Sequence, residues 1–447
     1  MLVDFTVKNW GVFHDESTLS MIGTRERRYK DTLAQPVHFR SLRVLPAASI
    51  YGGNASGKTT LLDALAFIRD LVLNGRGVDE DVAPYPFALE KEARELPTTI
   101  GVSFMASERI YRFLVEVDRE RVVSEMLTIL HDRGRSQMVY YRETCSDESE
   151  YCFDHEYFAD PARIEFVMQG TRRNQLFLTN AASQRVEELM DAYRWFKESL
   201  SLVGVGSGVE NYAHYYANPD FLSYASRILS ALDTGIRMID GEEVDIDSVP
   251  VPKRLINSIP EHDADAVFVG GFPNRDYDFD MYVVESRDGT RRAKHIRSYH
   301  ESQGGELVPF DLSMEASGTK RLIGLIPMMF DLRGKADSRE RVYVVDELDR
   351  CFHTMLTKKI VELFLESCSC RTRKQLIFTT HDLFLMDQSL MRRDEMYLTE
   401  RRWDGSAELI GLNEFEGIRH DKDLIRSYLE GRFGGIPMFS QLEGEYD

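Results

Sequence analysis

Cysteine is scarce in this chain: 447 residues hold five, at 145, 152, 351, 368 and 370. They are too few and too irregularly spaced for a disulfide framework, and read as the reduced thiols of a cytoplasmic protein. Cys368 and Cys370 could take a metal with His353, but no second ligand pair supports it. Long apolar runs are missing too. The longest, from Leu322 to Phe330, contains Pro327, whereas a membrane-spanning helix needs ~20 residues, so no membrane partner is expected. The opening from Met1 to Trp10 carries Asp4 early and alternates like a strand, unlike a secretory signal. Basic residues are outnumbered, 55 against 74 acidic, for a net charge of −19. A whole-surface grip on nucleic acid or anionic lipid is thereby excluded. DNA contact stays open only through local patches such as Arg25-Glu-Arg-Arg28 or Arg291-Arg292.

What is present is ordinary globular composition, 43% hydrophobic and 29% charged, with no internal repeat or low-complexity tract. The length suits about three domains at roughly 150 residues each. Residues 1–154 read as strands with one well-marked helix. An apolar run from Val44 to Tyr51 stops at Gly52-Gly53. A helix then follows from Lys58, with Leu61, Leu62, Leu65, Ile68 and Leu71 on one stripe, and stops at Asn74-Gly75. Ile100, Val102 and Phe104, then Tyr111, Phe113, Val115 and Val117, alternate as antiparallel strands with one buried face. Residues 155–305 form an insertion expected to be largely helical. Its helix formers run from Ser183 to Leu202 and from Phe221 to Leu232, separated by Gly204-Val-Gly-Ser-Gly208. Asp288-Gly289 after Tyr282-Val-Val284 marks a hairpin. Residues 306–447 alternate helix and strand, which implies a parallel sheet with crossover helices.

Gly52-Gly-Asn-Ala-Ser-Gly-Lys-Thr59 satisfies G-x-x-x-x-G-K-[ST] after a strand and at the start of a helix. The glycines let the backbone curl so that its N–H groups face phosphate oxygens, and the helix adds its positive end. Gly52, Gly53, Asn54, Ala55, Ser56, Gly57, Lys58, Thr59 and Thr60 are therefore the expected nucleotide-binding residues. Lys58 reaches the β- and γ-phosphates, and the Thr59 hydroxyl holds Mg²⁺. Arg341-Val-Tyr-Val-Val-Asp-Glu347 ends a buried strand in two carboxylates, where open α/β sheets place ligands. Asp346 would serve the Mg²⁺, and Glu347 would orient and deprotonate the attacking water. Such an ending is common alone and gains meaning from the phosphate loop.

Gln375-Leu-Ile-Phe-Thr-Thr-His-Asp382 is another apolar strand. Its tip carries His381, which can hydrogen-bond a γ-phosphate and report on hydrolysis, although a single histidine there is more often structural. Ser317 and Gly318 precede an apolar helix. They offer N–H groups and a hydroxyl to an anion, or Ser317 simply caps the helix.

Phosphate loop, Ser317 segment, Asp-Glu strand and histidine resemble the ABC-type ATPase head of the SMC, RecF and OLD group: Walker A, signature, Walker B and switch histidine. More closely, the chain resembles the abortive-infection ATPases of the AbiLii and RloA type, including the ATPase of the PARIS phage-defence system. The segments that carry this likeness are Phe5-Thr-Val-Lys-Asn-Trp10, Glu315-Ala-Ser-Gly-Thr-Lys-Arg321, Asp346-Glu-Leu-Asp-Arg-Cys-Phe-His353 and Tyr428-Leu-Glu-Gly-Arg-Phe-Gly-Gly-Ile-Pro437. The resemblance covers about residues 1–130 and 306–440. Two departures stand out. The signature does not read Leu-Ser-Gly-Gly-Gln, and no glutamine follows the Walker A helix before Gln137, leaving Tyr85-Pro-Phe87 as a stand-in.

The resemblance implies an α/β P-loop ATPase head of ABC type, with a mixed or parallel sheet and an antiparallel β-subdomain. It also implies ATP and Mg²⁺ as cofactors and a head-to-tail dimer, or a higher oligomer, that sandwiches two ATPs. After His381 no acidic cluster follows a fresh parallel-sheet pattern, so an OLD-type nuclease domain is not expected. The expected role is a defence ATPase that controls a separately encoded effector such as a nuclease, with a phage protein as trigger. The rivals are a DNA-maintenance ATPase, whose binding would fall steeply with salt, and a transport ATPase.

Lys58→Ala should abolish nucleotide binding in a fluorescent-ATP titration, because the phosphates lose their main side-chain counter-ion. Affinity within a few-fold of wild type would remove this loop from the site.

Overall fold

The computed structural model describes residues 1–39, 41–145, 148–204, 213–250, 267–270, 280–287, 290–333, 340–415 and 423–434. Residues 205–208, 288–289 and 435–437 of the stretches read above lie outside them. The chain forms two compact units: residues 1–208, 335–348 and 368–447, and residues 209–334 with 349–367.

The first unit opens with β1 (Leu2–Lys8), β2 (Ser17–Ser20) and β3 (Ala47–Tyr51), then the helix Lys58–Asn74. Next come β4 (Thr98–Ala106), β5 (Arg109–Val117), β6 (Val122–Leu130), β7 (Ser136–Cys145) and β8 (Glu148–Phe153). Helices Pro161–Gln169, Phe177–Ser183 and Glu187–Arg194 lead to β9 (Leu200–Val203). The second unit holds β10 (Ile236–Val244), β11 (Val267–Gly270), β12 (Met281–Arg287), β13 (Thr290–Glu301) and β14 (Leu307–Asp311). Its helices include Pro219–Ala231, Ser317–Leu332 and Thr354–Ser367. The first unit resumes with β15 (Arg341–Val345), β16 (Lys374–Thr379), β17 (Met396–Arg401) and β18 (Ala407–Gly411).

Two sheets build the first unit. One is antiparallel, in the order β2-β1-β4-β5-β6-β7-β8. The other runs β18-β17-β3-β16-β15-β9 and is parallel except for β18. The strands expected around 100–104 and 111–117 are β4 and β5. The helix from Lys58 ends where expected: Gly75 takes φ 65°, open to glycine without a Cβ clash, and its N–H reaches the Leu71 carbonyl. Gln375 on buried β16 joins the two sheets. Its Oε1 accepts from Leu2 N (2.6 Å), and its Nε2 donates to the carbonyls of Leu2 and Leu45.

The stretch read as an insertion carries several helices and a β-hairpin, and it divides between the two units. The second unit starts at 209 rather than 155, because residues 155–203 pack into the first. Trp195 stacks on Phe104 with centroids 4.3 Å apart. Glu125, fully buried, accepts from Phe177 N, Leu178 N and Tyr140 Oη at the start of a helix. The stretch 183–202 is not one helix: Arg185 breaks it at φ 56°, and its end becomes β9, the parallel neighbour of β15. The second unit combines its helices with a sheet. Its sheet runs β10-β13-β12-β11, with β14 also on β13. β10 escaped sequence reading because it is an edge strand whose Asp240, Glu242 and Glu243 break the apolar alternation. Arg287 pairs with Thr290, as the hairpin signal requires.

No helix among the described residues is long and apolar enough to cross a membrane. No disulfide joins the five cysteines, and no group of three His, Cys, Asp or Glu among the described residues could hold a metal. Part of the basic patch at 25–28 serves the fold, since Arg28 Nη1 donates to the Gln388 carbonyl. Arg392, fully buried, donates to the carbonyls of Glu26 and Arg28 and forks onto Asp394 at 2.8 and 2.6 Å.

Glu395, at the entry to β17, accepts from Arg392 N with one oxygen and has no partner for the other. Burial pushes its carboxyl from 4.5 up to about 8. The folded chain therefore holds a proton that the unfolded chain releases. The contribution of this one group to stability is full below about pH 4.5 and falls as pH rises toward 8, by up to about 1.4 kcal/mol per unit. Thermal unfolding of Glu395→Gln should lack this part of the slope; identical pH profiles for variant and wild type would refute it.

Candidate functional site

The phosphate loop leaves β3 at its C-terminal tip. Gly52 has φ 153°, Ala55 58° and Gly57 109°. A Cβ at Gly52 would stand 2.3 Å from Thr399 Oγ1, and one at Gly57 2.9 Å from Val12 Cγ2, so any larger residue forces the loop open. Thr399 on β17 anchors the loop's outer side. Its hydroxyl donates to the Tyr51 carbonyl (3.2 Å) and accepts from Ser56 Oγ (2.6 Å). Trp10 Nε1 donates to the Thr60 carbonyl. Lys58 is 6% exposed, and its ammonium is held by the carbonyls of Gly52 (2.8 Å) and Gly53 (3.0 Å). Asn54, Ala55 and Thr59 are exposed, so the loop presents backbone and hydroxyl to solvent over a buried cation.

β16 lies between β3 and β15, which brings three strand tips to one edge. Thr59 Oγ1 donates to Asp346 Oδ2 at 2.9 Å. Asp346 Oδ1 accepts from Thr379 Oγ1 at 2.5 Å, and that same hydroxyl accepts from Glu347 N at 2.7 Å. Glu347 has φ 48°, a left-handed conformation that costs a non-glycine residue of order 1 kcal/mol and persists only where neighbours impose it. Here Thr379 and the Leu348 N–H on the Thr379 carbonyl impose it. His381 Nε2 lies 4.0 Å from Glu347 Oε1, with both side chains about 40% exposed. Base candidate and histidine thus face solvent together, while the buried hydroxyl behind them sets their backbone.

The structure therefore brings Lys58, Thr59, Asp346, Glu347 and His381 into one cluster. Ser317 and Gly318 belong to the second unit, where they open the helix Ser317–Leu332. Its N-cap, Ala316, offers no side-chain bond, and Ser317 is exposed. Gln137 is engaged elsewhere, donating to Asp154, and Tyr85 packs edge-on to Trp10. Sequence reasoning missed Thr379 and Thr399. Each is a strand threonine whose hydroxyl matters only once the strand order is known. The oxygen pair Thr59–Asp346 fits Mg²⁺, which takes one or two protein oxygens and completes its shell with water and phosphate.

A phosphate loop, a carboxylate strand and a histidine strand on one parallel sheet define a P-loop ATPase. The chain belongs to the family described as AAA domain, putative AbiEii toxin, type IV TA system, whose model matches residues 47–387. No curated protein matches it significantly. Among solved structures it is similar to the Smc head bound to the C-winged helix domain of ScpA. That likeness spans 92% of this chain and 97% of that one, at 11% identity and a TM-score of 0.37.

Thr379→Val keeps the shape but leaves Asp346 and Glu347 N without their shared partner. Turnover should fall on the order of 10²-fold, the usual consequence of a small misplacement, while ATP affinity changes less and Thr379→Ser stays near wild type. Steady-state ATPase assays with parallel binding titrations decide it. Normal turnover in the valine variant would strip Thr379 of this role.

Proposed function

We propose that this chain hydrolyses ATP as an ABC-type, dimerising switch in the bacterial cytoplasm and controls a separately encoded toxic effector, such as a nuclease, in anti-phage abortive infection of the AbiLii, RloA and PARIS type. The observation that carries the hydrolase reading is the cluster at one sheet edge, with Thr59 on Asp346 at 2.9 Å and His381 4.0 Å from Glu347. Lys58 and the loop amides bind the triphosphate. Thr59 and Asp346 would hold Mg²⁺, which supplies charge neutralisation on the phosphate oxygens. Glu347 orients a water and accepts its proton as the water oxygen bonds the γ-phosphorus. The bond to the bridging oxygen breaks and ADP leaves with the electron pair. His381, beside Glu347, hydrogen-bonds the γ-phosphate and registers its loss.

The dimer reading rests on the exposed Ser317 end, whose N-cap side chain leaves the first-turn N–H groups for an anion. Facing the phosphate loop of a second copy, it would complete a composite site. The defence reading is supported by the family description, which names a putative AbiEii toxin and a type IV TA system. A change of state passes to an effector only if that effector binds the two states differently, and the second unit is the surface assigned to it. A phage protein is the assigned trigger.

Glu347→Gln should retain ATP and lose ~10²–10⁴-fold in turnover, as loss of a general base does. Ser317→Arg should bind ATP yet fail to dimerise, and mixing it with Lys58→Ala should restore part of the activity through one intact composite site. No complementation at any mixing ratio would refute the sandwich. Cells carrying the chain with its neighbouring gene should resist phages. Full, Glu347-dependent protection by the chain alone would refute the separate effector, and no restriction by the pair would favour DNA maintenance.

A further inference from the structure

The segment that enters the helix Ser317–Leu332 is pinned within the second unit by side chains distant in sequence. Glu315, two residues before Ser317, has a side chain only 8% exposed. One of its carboxylate oxygens takes two donors from β13: Ser298 Oγ at 2.5 Å and His300 Nε2 at 2.7 Å. These donors are two apart on one strand, so they point from the same face. Ser298 is fully buried. The ring of Phe310 on β14 stands edge-on to the imidazole of His300, 4.9 Å between centroids. Just upstream, Ser313 N donates to Asp280, and Lys320 Nζ reaches back to the Ser313 carbonyl.

We infer that Ser298 and His300 are positioning residues for the Ser317 end, and that they couple the β10–β14 sheet to ATP turnover. The inference rests on the reading that Ser317 acts in trans. A buried carboxylate needs donors for its charge, and β13 supplies both. While they hold it, the carboxylate is kept from the free N–H groups at the head of the helix. An acceptor there would compete with the γ-phosphate for the same donors. Any partner that shifts β13 within its sheet moves Glu315, and with it the first turn of the helix. The twelve-residue β13 bonds to β10, β12 and β14, so binding at either edge of the sheet reaches the clamp through one strand.

The test uses the full chain with Ser298→Ala/His300→Ala and a conservative pair, Ser298→Thr and His300→Gln, which keep a donor. For the alanine pair, kcat should fall about tenfold or more with ATP affinity within about two-fold of wild type, the split expected of positioning rather than substrate binding. ATP-dependent dimerisation, read by light scattering in a Glu347→Gln background, should weaken in parallel, and the conservative variants should recover both. Wild-type kcat and dimerisation in the alanine pair, with Ser317→Arg inactive, overturns the inference alone. If Ser317→Arg is itself silent, the trans reading fails and the inference falls with it. Should the alanine pair not fold by thermal melt, the single variants Ser298→Ala and His300→Ala replace it, each removing one of the two donors to Glu315; a wild-type kcat in both is equally fatal.

Discussion

The register of β16 between β3 and β15 is the constraint on which the site depends. Thr379 pairs with Ile50 on one side, and Phe378 pairs with Val345 on the other. That offset sets the Thr379 hydroxyl beside the first residue past β15, which is Asp346, with Thr59 on the carboxylate's other oxygen. One buried hydroxyl then bonds Asp346 with its proton and the Glu347 amide with its lone pair. A register slip of one residue would turn the threonine to the opposite face of the sheet and dissolve the arrangement. The burial of β3, β15 and β16 is thus as much a part of the site as the loop that carries the lysine.

Segments with strong local signals were legible in the sequence. The apolar run before Gly52-Gly53, the stripe from Leu61 to Leu71 and the stop at Asn74-Gly75 each follow from periodicity and backbone freedom, and the structure places them as read, with one shift. β3 starts at Ala47, because Val44 bridges instead to Ile22 and Ala34. Lys58, Thr59, Asp346, Glu347 and His381 were legible as residues because each sits at the end of a recognisable strand or loop. Their mutual geometry was not, since nothing local says that β16 is threaded between the other two. Thr379, Thr399 and Gln375 went unread for the same reason: a polar residue inside an apolar strand has no meaning until its neighbours across the sheet are known.

The least legible part is the chain between 155 and 305. Its helix-forming composition is real over 187–199 and 219–231, yet its ends are decided by pairing. Leu200 to Val203 become a strand because β15 has an open edge, and β10 is a strand despite its acidic run because β13 offers eight partners from Ala293 to His300. Hydrogen bonds to a distant strand override local preference in both cases.

The route of the chain has a mechanical consequence. It leaves the first unit just after β9 and again just after Leu348. Those two exits start side by side, for the Val203 carbonyl accepts from Asp346 N at 3.0 Å and Leu348 N donates to the Thr379 carbonyl at 3.0 Å. The chain passes between the two units four times, and two of those passages, after 208 and after 348, follow β9 and β15, whose tips are joined by the bond between Val203 and Asp346. The strand pairing that fixes Asp346 and Glu347 therefore also fixes where the chain departs from this sheet at those two points.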